Sequence, residues 1–136
     1  MQWLMLQQTE PEDYVISTGR MESVRTFIEI AARKLGWFNP TLKKSIIWEG
    51  KGVNEIGKRA DTKEIIIRID QRYFRPTEVD QLLGESRKAR EKLNWTPKIS
   101  LEELISEMID NDLQEAKKSV ILNKEGFKTS QSIESY

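Results

Sequence analysis

Cysteine and histidine are both absent from the 136 residues of the chain. Without cysteine, the chain has no disulfide framework, no thiolate zinc ligands and no thiol nucleophile. Without histidine, it has neither a Ser-His-Asp triad nor an imidazole general base. Any catalysis by these residues would have to use carboxylates, lysine, arginine, tyrosine or a bound cofactor.

Net charge and long apolar runs are lacking as well. The 22 basic side chains balance the 22 acidic ones, so the formal net charge is zero. The long-range attraction of a general nucleic-acid or anionic-membrane binder is therefore missing. No run approaches the ~20 apolar residues of a membrane-spanning helix, and residues 1–8 lack the pattern of a signal peptide. We expect no nucleic-acid partner, no membrane partner and a cytoplasmic location.

Apolar residues are few for a chain of this length. They make up 38% of the sequence, against roughly 45–50% in typical globular domains when glycine is counted with them. The chain is long enough for one domain, but it can build only a thin core. This composition predicts that a partner supplies part of the apolar surface.

The N-terminal part of the sequence favours a helix end followed by a single strand. Residues 1–8 are typical of the end of a helix, which Pro11 terminates. The run Tyr14-Val15-Ile16 predicts a strand over residues 14–18. Three consecutive apolar residues suit a strand that is buried on both faces of a parallel sheet. No other run in the chain looks like a partner for it.

The middle of the chain predicts one helix and two strands. Ser23 is the expected N-cap of a helix over residues 24–35 that ends at Gly36. Strands are predicted over residues 45–48 and 63–70. The apolar face of the helix would comprise Val24, Phe27, Ile28, Ala31 and Leu35.

The C-terminal part predicts two more helices. Ser86 would begin a short helix that ends near Leu93, and its basic side chains are typical of a solvated face. Ser100 and Glu103 form a capping box, the strongest local signal in the sequence. The helix that this box opens should reach Lys118. Its apolar face would comprise Leu101, Leu104, Ile105, Met108 and Ile109.

One glycine-rich stretch has half the pattern of a dinucleotide-binding loop. It consists of Gly50-Lys51-Gly52-Val53-Asn54-Glu55 and follows a predicted strand. Glu55 stands where the third glycine would be, and no helical apolar pattern follows. The helix N-terminus that would bind a pyrophosphate is therefore missing. The stretch is predicted to be a loop and not a cofactor site.

The segment after the last predicted strand carries the candidate site. Pro76 favours an extended conformation of Arg75, which projects the arginine away from the local backbone, and Glu78 follows close behind. A guanidinium can bind phosphate with two parallel hydrogen bonds, and a carboxylate can accept hydrogen bonds from ribose hydroxyls. The pair could grip a nucleoside diphosphate, or it could be a surface ion pair worth about 0–1 kcal/mol. Tyr73 and Phe74 could stack on a base, but we expect them to pack beneath this turn.

Several motifs, in order along the chain, resemble the C-terminal part of the GDP-mannose 4,6-dehydratase family. The most specific is Arg-Pro-Thr-Glu-Val-Asp at residues 75–80, a motif of the extended short-chain dehydrogenase/reductases. Arg20 departs from the acidic residue expected after Gly19. The other matching motifs are Trp3-Leu4-Met5-Leu6-Gln7, Glu10-Pro11-Glu12-Asp13-Tyr14-Val15-Ile16, Ser23-Val24-Arg25, Trp48-Glu49-Gly50-Lys51-Gly52, Leu82-Leu83-Gly84, Lys88-Ala89 and Lys92-Leu93-Asn94-Trp95-Thr96-Pro97.

The resemblance implies a lyase that uses NADP to convert GDP-mannose to GDP-4-keto-6-deoxymannose, a precursor of GDP-fucose and related deoxysugars. In that family an N-terminal Rossmann domain binds NADP and carries a Tyr-x-x-x-Lys pair, and a smaller C-terminal domain binds the GDP portion. Carried over to this chain, Arg75 would bind the diphosphate and Glu78 the ribose of GDP-mannose or GDP.

The same resemblance implies that this chain is one part of an enzyme. It has no Tyr-x-x-x-Lys pair, so the catalytic residues and the NADP site are expected in a missing Rossmann domain or a complementing chain. This chain alone is expected to be inactive, and the complete enzyme is expected to be a homo-oligomer.

The predicted fold is therefore α/β: the last strand and flanking helix of a Rossmann sheet plus a small mixed α/β substrate-binding domain. Residues 1–20 would be the remnant of the Rossmann domain, residues 21–118 the nucleotide-sugar-binding domain and residues 119–136 a flexible tail. The alternative is a non-catalytic nucleotide-sugar-binding or oligomerisation module.

Overall fold

The computed structural model describes residues 1–75 and 82–127 of the chain. Within these ranges the fold is mixed α/β, with a three-stranded sheet, and the predicted class is confirmed at that level. None of the described helices is both long and apolar enough to span a bilayer. In chain order the elements are α1 (Gln2–Leu6), α2 (Val24–Lys34), β1 (Ile46–Glu49), β2 (Ile56–Arg59), β3 (Ile65–Arg68), α3 (Arg87–Leu93) and α4 (Leu101–Lys124).

The sheet is antiparallel throughout, in the order β1-β2-β3. The two outer strands lie largely within the predicted runs. The central strand β2 is an unpredicted element, because its sequence Ile-Gly-Lys-Arg has a single large apolar residue and no alternating pattern. Ladder bonds to a neighbour on each side hold it as a strand. The chain thus returns to the sheet at Ile56, directly after the turn at residues 50–55.

A glycine occupies the centre of this sheet for reasons of space. Gly57 lies opposite Trp48 on one side and Ile67 on the other. A Cβ atom at this position would lie 2.9 Å from Cδ1 of Ile67 and 3.0 Å from a ring carbon of Trp48. The two neighbouring side chains therefore close over a position that must stay empty.

Local capping interactions set the starts of α2 and α4. The Ser23 hydroxyl accepts a hydrogen bond from the backbone N–H of Thr26 at 3.0 Å. The Ser100 hydroxyl accepts from the backbone N–H of Glu103 at 3.2 Å, and the Glu103 carboxylate accepts from the N–H of Ser100 at 2.8 Å. Both predicted N-caps are confirmed. Each satisfies N–H groups that have no partner within the helix.

The end of α4 differs from the prediction. The helix continues past Lys118 to Lys124 and therefore into the residues that were assigned to a flexible tail. No glycine or proline interrupts residues 101–124, and Gly126, with φ of +81°, supplies the stop. The cations Lys117 and Lys118 suggested an earlier end, but no helix-breaking residue follows them before Gly126.

The core is thin, in keeping with the composition. Among the described residues the buried apolar side chains are Ala32, Ile46, Ala60, Ala89, Leu93 and Ile105, of which only three are large. Val24, predicted on the apolar face of α2, is 76% exposed in the first turn, while Ala32 is buried in the last turn. Leu104 and Met108 of the predicted α4 face are also exposed. Much of the apolar face of each of these helices is therefore exposed to solvent.

The strand predicted over residues 14–18 is wrong for this structure. Residues 11–18 have neither helix nor strand assignment, and Val15 and Ile16 each expose about half of their surface. A strand requires a neighbouring backbone ladder, and the described segments supply only side-chain hydrogen bonds here. The three consecutive apolar residues suit a buried segment, and the described part of the chain does not provide the surface that would cover them.

An ion cluster ties this N-terminal segment to α3. The Glu12 carboxylate contacts the Lys92 ammonium at 2.5 Å and the Lys88 ammonium at 3.0 Å. Lys88 also donates to the Asp13 carbonyl at 2.9 Å and lies 5.0 Å from the centre of the Tyr14 ring. The hydrogen bonds from Lys92 and Lys88 lower the pKa of Glu12, and the hydrogen bond to Glu12 raises the pKa of Lys92.

This cluster predicts an acid-sensitive attachment. Because the folded-state pKa of Glu12 lies below its unfolded value of 4.5, its contribution to stability is present above that value. The contribution is lost as the pH falls through the folded pKa. We expect Glu12→Gln to melt at a lower temperature than the parent chain at pH 7, and we expect this difference to be smaller at pH 3. Thermal melts at both pH values test this, with the exposed Glu107→Gln as control. An unchanged gap between Glu12→Gln and the parent chain at pH 3 would contradict it.

Candidate functional site

The candidate site begins where β3 ends. Asp70 caps a single 3₁₀ turn over Gln71–Tyr73 by accepting a hydrogen bond from the backbone N–H of Arg72 at 2.9 Å. The same carboxylate accepts from the Arg72 guanidinium at 2.6 and 3.0 Å, and these bonds lower the pKa of Asp70. Arg72 is therefore held by its own turn. Arg75 follows as an exposed residue.

The aromatic residues before Arg75 are placed differently from the expectation. Tyr73 is 70% exposed and Phe74 is 54% exposed, so the prediction that they pack beneath the turn is wrong. The 3₁₀ turn leaves both rings on the surface beside Arg75. An exposed arginine flanked by exposed rings is a surface able to receive a flat, anionic ligand.

The second predicted site residue, Glu78, lies outside the described residues, as does the rest of 76–81. The pairing of Arg75 with Glu78 therefore stays a prediction, both as a nucleotide grip and as a surface ion pair. The structure describes what flanks this segment on each side.

On the far side of the segment, two serines connect the chain back to its N-terminal part. The Ser17 hydroxyl donates to the Gly84 carbonyl at 2.7 Å, and the Ser86 hydroxyl donates to the Ser17 carbonyl at 3.0 Å. Ser86 is completely buried. Ser86 occupies the predicted N-cap position of α3, but its side chain makes no capping hydrogen bond to that helix. No local sequence signal indicates contacts between residues so distant along the chain.

The glycine-rich stretch 50–55 does not fit a dinucleotide. Gly52–Asn54 form one 3₁₀ turn, and β2 begins at Ile56. A Cβ atom at Gly50 would lie 2.5 Å from the Asn54 carbonyl oxygen, so this glycine permits a tight turn. A helix N-terminus that could bind a pyrophosphate is not formed at this position. Among the described residues, no cluster of acidic side chains could hold a metal ion either.

The basic helix α3 has its cations largely engaged. Lys88 and Lys92 contact Glu12. Arg90 donates from Nε and a terminal nitrogen to the Ser86 hydroxyl at 3.3 and 3.0 Å. The helix also buries Ala89 and Leu93. The helix is therefore a structural element with a solvated charged face, as predicted.

A separate, partly enclosed cavity of about 400 Å³ lies beside residues 18–22. Arg20 and Glu22 both line this cavity and form an ion pair, with 2.6 Å between the Arg20 guanidinium and the Glu22 carboxylate. Arg20, which departs from the family pattern, therefore has its charge compensated locally. The residues that line the cavity are Thr18, Arg20, Glu22, Pro97, Ile99, Ser100, Leu101 and Leu104.

Comparison with known proteins identifies the family. A family model described as GDP-mannose 4,6 dehydratase matches residues 1–108. The chain belongs to the GDP-mannose 4,6 dehydratase family. The resemblance in the motifs is thereby confirmed, and it covers both sides of the candidate site as well as the buried Ser86.

Curated relatives with the same description match most of the chain. A GDP-mannose 4,6-dehydratase of Yersinia enterocolitica is 43% identical over 145 residues, covering 99% of this chain and 37% of the relative. One of Vibrio cholerae is 42% identical over 144 residues, covering 98% and 37%. The human GDP-mannose 4,6 dehydratase is 46% identical over 112 residues, covering 82% and 28%. The chain therefore covers between 28% and 37% of the length of these relatives.

Proposed function

We propose that this chain is the GDP-sugar-binding part of a GDP-mannose 4,6-dehydratase, a lyase that converts GDP-mannose to GDP-4-keto-6-deoxymannose. The observation that carries the proposal is the family match over residues 1–108, which contains an exposed Arg75 directly after a capped turn. Relatives from bacteria and animals that match this part are described as GDP-mannose 4,6-dehydratases.

In this proposal Arg75 binds the diphosphate of GDP and Glu78 accepts hydrogen bonds from the ribose hydroxyls. The guanidinium is always charged, and its planar fork matches two phosphate oxygens. The neighbouring Arg72 is unsuited to the same role, because Asp70 already occupies its donors on one side. Binding energy at the nucleotide would hold the attached mannose in place for chemistry elsewhere.

The catalytic part lies outside this chain in the proposal. The described residues form no dinucleotide site, so NADP would be bound by a Rossmann domain in another part of the protein or in a complementing chain. The exposed apolar side chains of Val15, Ile16, Leu82 and Leu83 support such a partner, because consecutive apolar residues at the surface mark a covered face. In this view the complete protein is a cytoplasmic homo-oligomer, and residues 1–20 belong to the Rossmann domain.

A non-catalytic nucleotide-sugar-binding or oligomerisation module is the alternative. It shares the GDP site but has no need of a partner domain. Mixing the chain with a separately expressed Rossmann domain of the family distinguishes the two, since the part of an enzyme should form a stable complex with it and a module should not.

A thermal melt with GDP tests the proposed site. We expect excess GDP to raise the melting temperature of the chain by several degrees. At a concentration of about 100 times Kd, binding to the folded state adds about 2.7 kcal/mol. Circular dichroism follows the transition, and guanosine, which lacks the diphosphate, is the control ligand. Equal shifts with GDP and guanosine would contradict a diphosphate-binding role for Arg75.

A further inference from the structure

We propose that the second half of α4 is a dimerisation surface, on which a second copy of this chain places the same part of its own α4 in the antiparallel direction. The contact is the same on both sides of a two-fold axis. The inference goes beyond the proposed function and does not depend on nucleotide binding, since α4 carries no residue of the candidate site.

The helix α4 extends far beyond the helix on which it packs. Glu102, in the first turn of α4, lines a small cavity together with Thr26 and Arg33 of α2. The Lys34 ammonium, at the end of α2, lies 3.1 Å from the Asp110 carboxylate. The two helices therefore run side by side in the same direction, and α2 ends level with Asp110. The overhang, residues 111–124, extends about 21 Å past that point at about 1.5 Å per residue.

The apolar face that α2 covers continues along the overhang, where the described residues leave it open. Ile105 is completely buried and Ile109 is partly buried, whereas Leu113 is 38% exposed and Val120 is 53% exposed. Residues 111–118 are exposed throughout. A helical segment of this length is marginal in water on its own, and apolar steps of three and four residues are typical of a helix–helix seam. The members of this open seam are Leu113, Ala116, Val120 and Asn123.

The position of α2 favours an antiparallel pair. In a parallel pair, the two copies of α2 would compete for the same space between the two α4 helices. In an antiparallel pair, the end of the partner's α4 meets the end of α2, and each overhang lies along the other over its whole length. This overlap places Leu113 opposite the partner's Asn123 and Ala116 opposite the partner's Val120. The seam is then covered by α2 over its first part and by the partner over its second.

The charges beside the seam fit this alignment. Asp110 comes opposite the partner's Lys124, and the two-fold axis repeats this opposite-charge contact at the other end of the seam. Asp110 also contacts Lys34, but 57% of its side chain is exposed, so the carboxylate can receive a second cation. Lys117 comes opposite the partner's Lys117 near the axis, which is a like-charge contact. Two attractive contacts against this repulsive one favour the antiparallel alignment.

The rest of the proposed enzyme is placed at the other end of α4. Thr18, in the segment assigned to the Rossmann domain, lines a cavity together with Leu101 and Leu104 at the start of α4. Val120 lies about 24 Å from Leu104 along the helix axis. A Rossmann domain joined at residues 1–20 is therefore placed to cover the first turns of α4, and the open seam is left for a second copy.

Sedimentation of the full chain without nucleotide tests the pairing. Two overhangs bury less than the roughly 1,200–2,000 Å² of stable interfaces. We therefore expect a reversible dimer between about 10 and 200 µM and a monomer at the lower concentrations of an unfolding titration. A chain that stays monomeric up to about 200 µM would overturn the proposal and assign the seam to another domain. Because GDP is absent, a failure of the dimer and a failure of the GDP site are distinguishable.

Two neighbouring variants test whether the seam makes the contact. Val120→Glu places a charge in the seam of both copies and should raise the dissociation constant of the dimer at least about tenfold. Ile121→Glu is the matched control, because Ile121 is 62% exposed and lies off the seam, and it should leave the constant unchanged. Circular dichroism at low concentration checks that both variants keep their helices. Equal effects of the two variants would place the contact elsewhere and overturn the proposal.

Distances between spin labels test the direction of the pair. The chain has no cysteine, so one introduced cysteine carries one label in each copy. Lys118 lies level with the two-fold axis in the antiparallel alignment, and labels at Lys118→Cys should therefore be close together. Labels at Glu107→Cys should lie about 33 Å apart along the helix axis. Equally short distances at the two positions would indicate a parallel pair and overturn the proposed arrangement.

Discussion

Replacing Arg75 by alanine is expected to weaken GDP binding by roughly 10- to 100-fold, the range that the loss of charge-assisted hydrogen bonds produces. The reason is that an exposed guanidinium can approach the diphosphate with two parallel donors, whereas alanine has none. Titration calorimetry at fixed ionic strength measures the change in Kd.

Two further variants make this result specific to the site. Arg87→Ala removes the same charge from α3, where Arg87 lies 3.9 Å from Glu85, and it should change Kd less than twofold. Arg75→Lys keeps the charge but not the planar fork, so its affinity should lie between those of the parent chain and Arg75→Ala. Equal losses in Arg75→Ala and Arg87→Ala would show that only the general charge matters and would reject the assigned role.

The second large effect is expected at Ile105. Its side chain is completely buried in α4, which packs against α2. Truncation of a buried isoleucine to alanine typically costs about 2–5 kcal/mol, through lost burial and an unfilled cavity. Against a total stability of about 5–15 kcal/mol, we expect Ile105→Ala to be largely unfolded or to lose much of its free energy of unfolding in urea titrations.

Val120 provides the matched comparison on the same helix. It is 53% exposed, so Val120→Ala should change the free energy of unfolding by less than about 1 kcal/mol. A loss at Val120 as large as that at Ile105 would mean that the second half of α4 is covered in solution. The core would then be larger than the buried residues indicate.

Local signals in the sequence predict the helix starts well. Ser23, and Ser100 with Glu103, act over three residues, and neighbouring atoms alone decide whether such caps form. The end of α4 is less predictable, because cations such as Lys117 and Lys118 are typical of a helix end but do not break a helix. The outer strands follow from β-branched runs, while β2 depends on ladder bonds to strands on either side. Its own residues carry little preference.

The candidate site divides in the same way. Arg75 can be singled out from the sequence because Pro76 and Glu78 follow it within three positions. Ser17 cannot be singled out, since its partners Gly84 and Ser86 are distant along the chain and only the folded backbone brings them together. The strand predicted around Val15 fails for a related reason. Consecutive apolar residues predict a buried segment, and the described residues bury only about half of the surface of Val15 and Ile16.

The crowding around Gly57 bears on how the sheet finds its pairing. A slip of β2 by one residue would bring Ile56 or Lys58 between the side chains of Trp48 and Ile67, where not even a Cβ atom fits. Short strands of four residues would otherwise tolerate several alignments of similar energy. The absence of a side chain at Gly57 therefore favours one register of the three strands. The residue order of β2 specifies this pairing, although the residues themselves have little preference for a strand.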